Sequence, residues 1–287
     1  MHWGGFSDSS QNRDIEQLAD KEIVRRSNPR CVHTQRERPH PTVATLGKGW
    51  VKLIRRKVVL GALVGAVFVL ATGCASSSSQ EHKAQEHKAY APHIDPAEFT
   101  TKVDNEYFPM KPGTTFLYEG GQERDEFAVT DETKKVMGVE CVVVNDKAWE
   151  EGKLIERTYD WFAQDKEGSV WYFGEDTKEY KNGKVVSTKG SWEAGVDGAK
   201  PGIIMQADPK VGESYRQEYY PGEAMDMARV LSSNASITVP YGSFDHVLET
   251  KEWTPLQPIF YEKKYYVRGV GPLGNPGDQA LLDVKHS

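Results

Sequence analysis

Between residues 150 and 185 the chain carries three turn signals at nearly equal spacing: Glu151-Gly152, Glu167-Gly168 and Asn182-Gly183. Asn-Gly is among the strongest short hairpin signals, because the tight two-residue turn needs positive φ at both central positions. The three glycines stand 16 and 15 residues apart. That leaves strands of up to about 13 residues, or about 40 Å at 3.3 Å per residue, well beyond the usual strand of about 5–6 residues. Long antiparallel strands twist and curl. The expected fold is therefore mainly β: a long-stranded antiparallel curved sheet, half-barrel or barrel. One short helix is expected near 223–231, where "EAMDMARVL" follows Pro221-Gly222.

The residues between the turns support strands. In "KLIERTYDWFA", Ile155, Arg157, Tyr159 and Trp161 fall on one face and Glu156, Thr158 and Asp160 on the other, the pattern of a half-buried strand. In "SVWYFGE", Val170 and Tyr172 face one way and Trp171 and Phe173 the other, so both faces need cover. Gly174 then marks a bulge or bend. Pro112-Gly113 leads into a strand at 115–118, and Pro240–Gly242 divides two more in "SITVPYGSFDHVLETKEW". After Gly271 the chain carries little pattern.

Upstream lies a different kind of segment. "VKLIRRKVVLGALVGAVFVLATGC", Val51 to Cys74, has a basic start (Lys52, Arg55, Arg56, Lys57) and a 14-residue uncharged, mostly apolar run, Val58 to Ala71. A hydrocarbon core about 30 Å thick needs roughly 20 apolar residues, so this order matches an export signal better than a spanning helix. Its end, "LATGC", resembles the lipobox of bacterial lipoproteins. Leu70 lies four residues before the Cys where the family places it three before, and Ala71 holds that place. The resemblance implies cleavage before Cys74 and acylation of Cys74. The partner it implies is the membrane, through the lipid anchor, and the location is the cell envelope. Ala75 after the Cys favours the periplasmic face of an outer membrane, where the cell has one.

This divides the chain. Residues 1–50 have no core pattern, and the simplest account is synthesis starting at Val51, with a disordered extension as the alternative. Residues 51–73 are the signal peptide, 74–97 a Ser-rich tether that duplicates "QEHKA", and 98–287 a single β-rich domain. Residues 75–287 carry 24 Lys/Arg against 36 Asp/Glu, a net of −12. Such a surface is a poor match for nucleic acid.

Few residues offer catalytic chemistry. His246 is the one internal His of the presumed domain, Cys141 sits in the apolar run "VECVVVND", and no nucleophile elbow, HExxH, zinc set or dinucleotide fingerprint occurs. No cofactor is implied and no catalytic residue stands out, although abundant carboxylates leave a two-carboxylate glycosidase open, with Asp160, Asp165, Glu167, Glu175 and Asp176 as its candidate cluster. Asp165, Glu167, Glu175 and Asp176 cluster around "DKEGSVW", which resembles part of a calcium loop but has Ala163 at its first position. The plainer reading is a hairpin turn between charged strand ends. The remaining lead is aromatic. Trp161, Trp171, Tyr172, Trp192 and Trp253 could line a cup for an apolar or sugar ligand, or could fill the core. The expectation is a non-catalytic ligand-binding or carrier domain, with a filled-core structural or assembly lipoprotein as the alternative.

Overall fold

The computed structural model describes residues 90–287; the upstream extension, the signal segment, Cys74 and the first part of the tether lie outside the described residues. A 3-10 turn at Pro96–Glu98 precedes sixteen strands: β1 (Phe99–Thr100), β2 (Thr114–Gly120), β3 (Glu123–Val136), β4 (Val139–Glu150), β5 (Lys153–Asp165), β6 (Val170–Lys181), β7 (Lys184–Ser187), β8 (Trp192–Glu193), β9 (Lys200–Met205), β10 (Ser214–Arg216), β11 (Glu218–Tyr219), β12 (Met227–Val239), β13 (Gly242–Trp253), β14 (Glu262–Val267), β15 (Gly271–Gly274) and β16 (Ala280–His286). The strands β4, β5 and β6 are 12, 13 and 12 residues long, as the turn spacing requires. Glu151-Gly152 and Asn182-Gly183 have positive φ at both residues, the primed hairpin geometry that matches strand twist.

The strands form one antiparallel sheet in the order β10-β12-β13-β14-β15-β16-β2-β3-β4-β5-β6-β9-β11. Its two ends, β10 and β9 with β11, come together along a seam, giving a nearly closed barrel. The loop 103–110 plugs one mouth. Asn105 holds it there, donating from Nδ2 to the Gly168 and Gln206 carbonyls, and Phe108 enters the lumen against Phe127, Phe162 and Tyr266. The segment 94–99 covers the outside of β6, where Phe99 packs edge-on to Trp171 and Phe173. That is the cover the second apolar face of β6 demanded. Gly174, at φ 133°, sits at a register shift between β5 and β6, where a Cβ would overlap the Trp192 carbonyl.

Two expectations are corrected. The short helix near 223–231 is absent: Met227 onward is β12, thirteen residues paired with β13. Ala228 and Val230 point inward while Arg229 is exposed, and long-range pairing outweighs the local helix preference of Ala, Met and Leu. The weakly patterned tail is β15 and β16, and β16 closes the barrel on β2. A register shift between Leu281 and Asp283 interrupts the alternation there, which hides the strand from a period-two reading.

Gly120 permits this closure, since a Cβ at that position would overlap the Asp278 carbonyl. Gly120→Ala is therefore expected to cost about 1–3 kcal/mol, the usual price of overpacking, in urea denaturation. A cost below a few tenths would show that the β2–β16 junction yields freely.

Candidate functional site

The alternation read in β5 is real, but its polar face is the one that points inward. Asp160 lies opposite Val144 on β4 and Glu175 on β6, and Thr158 opposite Asp146 and Thr177. One strand further, Asp146 lies opposite Phe127, and Asp125 opposite Tyr118. The same holds across the barrel, where Thr250 faces Lys264 and Glu252 faces Glu262. The lumen thus has an aromatic half and a polar half. Phe108, Phe116, Phe127, Phe162, Tyr172 and Trp192 fill the first. Six carboxylates line the second: Asp125, Asp146, Asp160, Glu175, Glu218 and Glu252, all at most 4% exposed.

Phenols and hydroxyls organise these acids. Tyr172 Oη donates to Asp160 Oδ1 at 2.6 Å, Tyr266 Oη to Glu252 Oε1 at 2.8 Å, Thr177 Oγ1 to Glu175 Oε2 at 3.1 Å and Thr250 Oγ1 to Glu252 Oε1 at 3.1 Å. Burial first, and then the neighbouring carboxylates, push Tyr118, Tyr172 and Tyr266 well above the ordinary phenol value, so these hydroxyls remain donors.

Positive charge is scarce. Among the described residues no Lys, Arg or His is fully buried. Lys264, its side chain 12% exposed, reaches in to Glu252 at 2.9 Å and Glu262 at 3.4 Å. Burial alone would lower its ammonium, but those two charges and their hydrogen bonds raise it instead.

Buried donors without a hydrogen-bond partner include Trp192 Nε1, Gln217 Nε2 and Tyr215 Oη. Trp192 lies opposite Glu175. Gln217 lines a small cavity of about 20 Å³ at the seam with Glu218, Asp226, Glu252, Lys264, Tyr266, Phe108 and Ile204, room for about one water-sized group. An unmet buried donor is costly, of order 1–3 kcal/mol, and the cavity beside Gln217 has room for one water-sized acceptor.

The residues singled out from sequence scatter. Tyr172 and Trp192 belong to the packed lumen, edge-to-face at 5.4 Å. Trp161, 6% exposed, lies on the outer face of β5 beneath the Lys134 ammonium, 3.7 Å from its ring. Trp171 is half-buried in a surface groove with His93, Asp95, Glu98, Phe99, Asp165 and Glu167, and donates to Asp165 Oδ2 at 2.7 Å. Trp253 stands on the far side of the barrel near Lys251. The calcium candidates also separate. Asp165 and Glu167 form the β5–β6 turn, with Asp165 Oδ1 accepting from the Ser169 amide. Glu175 points into the lumen, and Asp176 pairs outward with Lys178. Among the described residues no three His, Cys, Asp or Glu are arranged to hold a metal ion.

Cys141 is fully buried and reduced, and burial above all pushes its thiol up to about 12, away from the reactive thiolate. His246 is exposed at positive φ, its Nδ1 2.6 Å from Asn234 Oδ1.

Asp125, Asp146, Glu218, Glu252 and Lys264 did not stand out in sequence. The available signal was acids alternating with aromatics in strands too long for one face to be wholly solvent. Among the described residues no helix is long and apolar enough to cross a membrane. Comparisons with protein-family models, with curated proteins and with solved structures find no match to this chain.

Proposed function

We propose that this protein is a lipid-anchored cell-envelope protein whose barrel carries out no chemistry and serves, with a filled core, a structural or assembly role. The anchor rests on the lipobox-like segment ending at Cys74, and Ala75 favours the periplasmic face of an outer membrane. The observation that carries this reading is the packing of the lumen. Phe108 enters it against Phe127, Phe162 and Tyr266, Tyr172 stacks on Phe162 and meets Trp192 edge-on, and the cavity beside Gln217 and Tyr266 has room for about one water-sized group. An apolar or sugar ligand has less support, because Trp161, Tyr172 and Trp192 are engaged in packing. Glycosidase chemistry has less still: Asp160 and Glu175 oppose each other, but their side chains are sealed from solvent.

Native mass spectrometry of the purified full chain, with thermal unfolding before and after extensive dialysis, tests this reading. The expected result is a barrel free of any stoichiometric small molecule and a Tm unchanged by dialysis. A co-purified ligand whose loss lowers Tm overturns it, since a ligand of the native state at a hundredfold excess over its Kd adds about 2.7 kcal/mol, about 5–10 °C in Tm for a domain of this size. The ligand-binding or carrier reading then stands.

A further inference from the structure

The loop between β13 and β14 is unlike the rest of the surface. Among the described residues, four of the eleven exposed large hydrophobics fall within it: Leu256, 45% exposed, Ile259, 82%, Phe260, 47%, and Tyr261, 58%. It is a shaped loop. Thr254, itself buried, starts one turn (Gln257 N to Thr254 O, 3.1 Å), a second follows (Phe260 N to Gln257 O, 3.1 Å), and Pro255 and Pro258 restrict the backbone between them. At its base Lys251 stands 4.3 Å from the Tyr261 ring and 5.7 Å from the Trp253 ring. An apolar tip with a Trp, Tyr and Lys collar is the arrangement that settles at a membrane–water interface.

The point of chain entry lies beside this loop. The described chain begins at Tyr90, whose ring lies 5.3 Å from the Arg216 guanidinium and 5.2 Å from the Tyr219 ring, and whose Oη donates to the Pro201 carbonyl at 2.8 Å. Arg216 is the register partner of Met227, and Met227 of Trp253. The entry point and the base of the loop are therefore level on the barrel wall and two strand spacings, about 10 Å, apart. Sixteen residue steps separate Tyr90 from Cys74, a span of at most about 55 Å.

We infer that the 256–261 loop inserts into the interfacial layer of the bilayer that holds the Cys74 anchor, so that the barrel rests on the membrane by this rim. The inference rests on the lipid-anchor reading for its choice of partner. The net charge of −12 over residues 75–287 opposes anionic headgroups, so the contact is apolar and suits a zwitterionic surface. An interfacial segment buries its apolar residues about 5–10 Å into the headgroup and acyl boundary.

The test uses the full chain carrying Ile259→Trp, an exposed position that tolerates the larger ring, in phosphatidylcholine vesicles with brominated acyl chains. The variant is expected to gain a quenched tryptophan component several-fold above any seen in the wild type, and Phe260→Asp added to it is expected to remove that component. The mass of the peptide bearing Cys74 is read in parallel. An unacylated Cys74 overturns the anchor reading while the quenching still reports on the loop. Absence of the quenched component overturns the insertion. So does a blue-shifted emission without vesicles accompanied by a doubled mass in solution, since a second copy then covers the loop.

Discussion

Trp192→Ala and Trp161→Ala should each lower the free energy of unfolding by about 3–5 kcal/mol, the range for truncating a large buried ring. Trp171→Ala should cost clearly less. The three are close in sequence and chemically identical, so the contrast isolates packing. Trp192 is 4% exposed and meets the edge of Tyr172, which stacks on Phe162 at 4.7 Å; its removal opens a void in the lumen that the barrel's ladder prevents from collapsing. Trp161 fills the space above Gly174 and beneath Lys134, so its loss also strands an ammonium from its cation–π partner. Trp171 is half-exposed and retains solvent on one side. Denaturant titration followed by far-UV circular dichroism makes the comparison. If Trp192→Ala costs under about 1 kcal/mol, the ring does not have the role of a core side chain.

The contrast also shows what was legible before the structure. Strand length, turn positions and the barrel-like curl followed from glycine spacing, because a primed hairpin turn has few sequence solutions. The need for cover on both faces of β6 followed from Trp171 and Phe173 opposing Val170 and Tyr172, and Phe99 supplies it. The direction of each face did not follow. Period two gives two faces without saying which is inside. In β5 the inside face is Glu156, Thr158, Asp160 and Phe162, and no local rule places two acids there. The helix expected at 223–231 failed for the same reason: β12 is fixed by its partner β13, twelve residues long and reached only after Pro240–Gly242. The acidic lumen is assembled from six strands, the consecutive β3 to β6 together with β11 and β13, and each of its residues looks by itself like an ordinary charged position on a strand.

Lys264→Met is expected to cost about 3–5 kcal/mol, because it leaves Glu252 and Glu262 without their shared counter-charge at sites where their side chains are 5% and 8% exposed. Methionine keeps much of the aliphatic length of lysine, so the loss reads charge more than packing. The second variant decides the cause. Lys264→Met with Glu252→Gln removes one stranded carboxylate and preserves an acceptor for Tyr266 Oη and Thr250 Oγ1, which bond to Glu252 Oε1 in the wild type. Stability is expected to recover by at least half. Failure to recover would mean that Lys264 acts through packing.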